Sequence, residues 1–100
     1  MINPSVIIQE VENYFYLDKD VLLQYNRTRT IADARAVAMY LVRYFNNYSY
    51  QEVANTFKKR DHTSVIHNCK KIVNLLYNKR NDPLSIATMK LVSQFEEYYK

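Results

Sequence analysis

Apolar residues along the chain recur at three- and four-residue spacing, the period of amphipathic helices, and this spacing with regular caps outweighs the lower helix propensity of the many β-branched residues and tyrosines. Ile7, Ile8, Val11, Tyr14 and Phe15 form one such stripe and predict a helix over about Pro4 to Tyr16. Asp18 is placed to cap a short second helix over Lys19 to Gln24, and Tyr25 to Thr30 follows as a polar, basic connection. Thr30 and Asp33 stand at the spacing of a capping box, in which each side chain satisfies a backbone N–H, and predict a helix reaching about Phe45. Its inward positions are Val37, Ala38, Leu41 and Phe45. Ser49 and Glu52 repeat the capping pattern and open a short helix ending near Phe57, with Val53, Ala54 and Phe57 inward. After the turn Lys58-Lys59-Arg60, Asp61 caps a long helix to about Lys79, and a last helix over about Leu84 to Tyr99 buries Leu84, Ala87, Leu91 and Phe95.

Glycine is absent, and both prolines, Pro4 and Pro83, follow a residue able to cap a helix (Asn3, Asp82). A proline is tolerated there because the missing N–H has no intrahelical partner. Positions needing positive φ are expected to fall to Asn26, Asn46, Asn47, Asn78 or Asn81. The expected architecture is therefore all-α, a compact bundle of about six helices in one domain over 1-100, with a helix-turn-helix over about 49-80.

Charge sharpens this picture. The net charge is +4, yet Arg27 to Arg80 holds eleven Lys and Arg against three acids, a net +8. Met1 to Asn26 carries −3 and Asn81 to Lys100 carries −1. A basic centre between acidic flanks is the footprint of a polyanion binder, nucleic acid being the commonest. No apolar run suits a membrane span, no signal peptide is visible, and a cytoplasmic address is expected. The lone Cys69 cannot form an internal disulfide and reads as a small core residue.

The long helix after Asp61 concentrates the candidate chemistry. At about 100° per residue, Val65, Cys69, Ile72, Val73 and Leu76 fall on the core side, and Thr63, His67, Lys70, Lys71 and Asn74 on the opposite arc. That arc carries no acid and suits a groove lined by phosphates and base acceptors. Its first turn presents Asp61, His62, Thr63 and Ser64, the end a recognition helix directs at base edges. Asp61 is equally suited to N-capping and to accepting from cytosine, and Ser64 to bonding a free backbone N–H. Arg27 and Arg29 on the basic connection can enter a minor groove or touch phosphates. Lys58, Lys59 and Lys70 add cations for the DNA backbone.

Other chemistries find no support. His62 and His67 lie about 140° apart on a helix, whereas a shared metal needs three- or four-residue spacing, so no metal is expected. No nucleophile with base and orienting acid is evident, and a phosphate-cradling glycine loop is impossible without glycine. Neither an enzyme nor a cofactor is expected.

Taken in order, Arg27-Thr28-Arg29, the run Ala34 to Leu41, and above all Arg60-Asp61-His62-Thr63-Ser64-Val65-Ile66-His67 with Lys71-Ile72 resemble the C-terminal DNA-binding domain (domain IV) of the bacterial replication initiator DnaA. The resemblance covers nearly the whole chain and implies a TrpR-like helical domain that binds a short, asymmetric replication-origin box. By that likeness Asp61, His62, Thr63, Ser64 and His67 contact bases in the major groove and Arg27 enters the minor groove. Arg35, Ser49, Tyr50, Arg60 and Lys71 would hold the DNA backbone. Lys58-Lys59 stands where the family commonly has Gly-Gly, which adds charge and bears on the turn. These residues include no AAA+ ATPase module. Either the chain is a stand-alone relative, phage- or mobile-element-encoded, acting as regulator or competitor at such boxes, or it is an excised domain of an initiator. The expected partner is double-stranded DNA, bound by a monomer. The alternatives are a protein-interaction or transcription-regulatory module built on the same fold, with other replication proteins as partners, and a non-specific nucleoid binder.

Overall fold

The computed structural model describes residues 1–25, 28–58 and 60–98. Its elements are α1 (Pro4–Tyr14), a 3₁₀ turn (Val21–Leu23), α2 (Arg29–Asn46), α3 (Tyr50–Thr56), α4 (His62–Asn78) and α5 (Pro83–Tyr98), with no strand among the described residues. Five α-helices thus stand where about six helices were expected, because the predicted helix over Lys19 to Gln24 shrinks to the 3₁₀ turn. Asp18 does not cap it. Asp20 takes the N-cap position with a positive φ of 65° and no side-chain cap bond.

The eighteen-residue α2 is the centre of the molecule and packs against every other element. Ala34, Ala36 to Met39, Leu41 and Val42 are buried on it, and Ile7, Ile8, Val11, Val53, Phe57, Val65, Ile72, Leu91 and Phe95 close around them. So much of α2 is buried that its apolar stripe widens beyond one face, as expected of a helix enclosed by neighbours. One predicted core position fails: Val73 is on the edge of α4's apolar arc and is left exposed beside a hollow, with no described element packed over it.

Caps explain where the helices start. Asn3 accepts from the Ser5 N–H at 2.8 Å, Asp61 from Thr63 at 2.9 Å and Asp82 from Leu84 at 2.9 Å, each satisfying a donor that lacks an intrahelical partner. The capping box of α3 is complete, with Glu52 N–H donating to Ser49 Oγ at 3.1 Å and Ser49 N–H to Glu52 Oε1 at 2.9 Å. These bonds hold the Glu52 carboxyl below its ordinary value. The box expected at Thr30 and Asp33 does not form. The extended Thr28 takes the N-cap position instead, α2 begins at Arg29, and Asp33 turns to other partners.

Positive φ falls on Tyr16, Asp20, Asn47 and Lys58, so of the expected asparagines only Asn47 adopts it among the described residues; Asn26 lies outside them. α1 ends at Tyr14 with Phe15 as its C-cap, two residues before the end expected at Tyr16, which takes the left-handed conformation just beyond the cap. Lys58, at φ 64°, keeps the left-handed turn that glycine would adopt freely, at a cost of about 1 kcal/mol. No helix of the described residues is long and apolar enough to cross a membrane.

Candidate nucleic-acid interface

α3, its turn and α4 form the helix-turn-helix, braced by α2. Asp61 caps α4 and remains exposed, so the capping role observed leaves its second carboxylate oxygen available. His62, Thr63 and Ser64 are exposed on the first turn, and His67, Lys70, Lys71 and Asn74 continue the exposed arc. Ser49 is exposed at the start of α3, with Tyr50 half-buried beside it, and Lys58 is exposed in the turn. Arg27 and Lys59 lie outside the described residues.

The arc is not free of acid, as its own sequence suggested. Asp33 of α2 reaches it, with Oδ1 2.8 Å from Lys71 Nζ and Oδ2 3.9 Å from Arg29 Nε. Being solvated, these pairs contribute little to stability. What they fix is placement: the first turn of α2 stands beside the outward arc of α4. Arg29 accordingly belongs to a helix and not, as expected, to the basic connection, because the helix starts directly after Thr28.

Two arginines expected at DNA phosphates are engaged elsewhere. Arg35 is only 6% exposed, and its Nε and Nη2 donate to the carbonyl oxygens of Leu22 and Gln24, each at 2.9 Å. Burial, and secondarily the neighbouring charge of Arg60, pushes its pKa down to about 10, so it stays cationic at neutral pH. Arg35 thereby fastens the loop of Leu22 and Gln24 that precedes α2. Arg60 also donates to Gln24 O and lies 5.6 Å from the Tyr25 ring centroid, while its buried Nε has no hydrogen-bond partner among the described residues. The turn of the helix-turn-helix and the loop before α2 are thereby tied at one carbonyl. Between them opens a hollow of about 650 Å³ walled by Tyr25, Arg35, Lys58, Arg60, Ser64 and Asn68, among others.

Sequence reasoning missed Glu12. This carboxylate is 2% exposed and accepts from the N–H groups of Asp20 and Leu22 at 3.1 and 3.2 Å, holding the same loop from α1. A signal was present, since an acid at the border of the Ile7, Ile8 and Val11 stripe must be bonded if it is buried. Cys69 is buried, its thiol pushed up to about 11 by desolvation against the opposing effect of Arg43, so it stays protonated. Among the described residues no group of three or more His, Cys, Asp or Glu is placed to hold a metal ion.

The arrangement defines an all-helical helix-turn-helix protein with a basic, donor-rich outer helix. Residues 4–72 match the family described as bacterial dnaA protein helix-turn-helix, and the chain belongs to that family. It is 37% identical over 79 residues to the chromosomal replication initiator protein DnaA of Bifidobacterium animalis subsp. lactis, covering 79% of this chain and 14% of that protein. With the DnaA of Leifsonia xyli subsp. xyli it shares 38% over 81 residues, covering 81% of this chain and 17% of the relative. It also resembles a solved structure titled as a DNA replication initiation factor, with a TM-score of 0.74 and 27% identity, covering 91% of this chain and 28% of that one. The chain thus spans about a sixth of the length of the curated relatives it matches.

Proposed function

We propose that these residues form one DNA-binding domain that recognises short duplex sites of the DnaA-box type, in replication initiation or its regulation, as a monomer. The observation that carries this reading is the exposed arc of α4, with Thr63, His67, Lys70 and Lys71 presented beside the first turn of α2. Asp61, His62, Thr63, Ser64 and His67 read base edges in the major groove, and Arg27 enters the adjoining minor groove. Arg29, Ser49, Tyr50, Lys58, Lys59, Arg60, Lys70 and Lys71 set register on the phosphates, with Arg35 positioning the loop. The chain's part is binding, with double-stranded DNA as partner and no chemistry on it.

A salt-titrated mobility-shift assay on a box-containing and a scrambled duplex tests this. The domain is expected to favour the box by at least roughly a thousandfold, with affinity for both falling steeply as salt rises. Equal affinity for the two duplexes at every salt concentration would reject site recognition and leave a non-specific binder or a protein-interaction module.

A further inference from the structure

The flank of α4 opposite Asp33 borders a second hollow of about 690 Å³, a size that accommodates a bound ligand. Tyr40, Arg43 and Tyr44 of α2, Tyr50 of α3, and Lys70 and Tyr77 of α4 line it. Tyr40 and Tyr44 stack with ring centroids 5.8 Å apart and planes inclined by 22°, and the Arg43 guanidinium lies 4.2 Å over the Tyr50 ring. Tyr77 is 83% exposed and Tyr44 52%. The remaining walls add Asn74 and Asn78 amides, Val73 and Cys69, and no carboxylate among the described residues. An adjacent hollow shares Tyr40 and Tyr44 but balances Arg80 with Glu96, so the positive bias belongs to this groove alone of the two.

The exposed Tyr77 and half-exposed Tyr44 rings, flanked by Arg43 and Lys70, match a ligand with planar rings and negative charge. A duplex supplies phosphates but encloses its base faces; an acidic peptide supplies charge without a regular series of rings. Single-stranded DNA supplies both, its bases stacking on aromatic side chains while its phosphates meet cations. Lys70 and Tyr50 border the groove and also belong to the proposed duplex face, so a strand leaving that duplex would enter here.

We propose that the groove between α2 and α4 binds a short segment of single-stranded DNA, with bases on Tyr44 and Tyr77 and phosphates at Arg43 and Lys70. Only the continuity with the duplex rests on the function proposed above; the groove's chemistry stands without it.

The chain contains ten tyrosines and no tryptophan, so its intrinsic emission comes from tyrosine and stacking at Tyr44 and Tyr77 registers as a partial quench. The full chain is titrated with oligothymidine of roughly a dozen nucleotides, about one binding site, and with an abasic strand of equal length. Oligothymidine is expected to quench tyrosine emission and to bind roughly tenfold or more tighter than the abasic strand. Tyr77→Ala should lose at least about fivefold in oligothymidine affinity, Arg43→Gln should lower its salt dependence, and His67→Ala should leave it unchanged. Tyr77 is so exposed that its replacement spares the fold, which a melting curve checks. Equal affinity for the thymidine and abasic strands, or an unchanged Tyr77→Ala variant, overturns the proposal. Displacement by a polyglutamate peptide more readily than by oligothymidine also overturns it and reassigns the groove to protein. Loss of box discrimination by the wild-type chain is read on duplexes separately and bears on the duplex reading alone.

Discussion

Polar groups work in opposite ways in two neighbouring regions. Around the loop before α2, Glu12 and Arg35 are buried and spend their charge on backbone N–H and carbonyl groups of residues 20–24. On the outward arc of α4, Thr63, His67 and Lys70 are exposed, and Lys71 is held only by a solvated pair with Asp33. The first region fixes residues 20–24 beside the helix-turn-helix; the second holds the donors that a DNA site would meet. Buried charges whose bonds are broken cost several kcal/mol, whereas exposed ones cost little. Substitutions should therefore separate into those that unfold the domain and those that blind it.

The largest effect is expected at Glu12→Ala, which strands the buried Leu22 N–H and the partly buried Asp20 N–H and should lower unfolding stability by about 3 kcal/mol in a urea titration. A loss below about 1 kcal/mol would show that the loop is not held from α1. Thr63→Ala should leave the urea midpoint in place yet cost about 1 to 3 kcal/mol in binding to a cognate site, read by fluorescence anisotropy. Lys58→Gly should raise stability by about 1 kcal/mol, because glycine relieves the left-handed backbone at this turn. A lowered melting temperature would contradict that reading.

Smaller again is Asp33→Asn, which releases Arg29 and Lys71 together. Affinity for cognate and scrambled duplexes should rise alike by a few-fold, with a steeper salt dependence. The gentlest change follows acidification. Glu52 is held below its unfolded value, so its capping contribution is complete above that value and disappears as pH falls through the folded one. Glu52→Gln should flatten the acid limb of the stability profile and lower the neutral plateau slightly, by what protonation of Glu52 removes in the parent chain.

The same contrast explains what could be read from sequence. Asp61 with Thr63, and Ser49 with Glu52, are partners two or three residues apart, so the chain itself displays both ends of each bond. The pair Thr30 and Asp33 looks alike locally, but Thr28 starts the helix earlier and Asp33 finds Lys71, 38 residues away. Arg35 showed the same limit: a cation within an apolar helix was legible, its acceptors at Leu22 and Gln24 were not. Periodicity likewise placed Val65, Cys69 and Ile72 correctly but could not show that nothing covers Val73 at the border of the arc.

The central claim, that the outward arc of α4 reads sequence, is tested most directly by paired affinities of wild-type and His67→Ala protein for a box-containing and a scrambled duplex at one salt concentration. Loss of roughly tenfold or more on the box, with the scrambled duplex bound as before, is the result expected. Equal loss on both duplexes, or no loss on either, would contradict it.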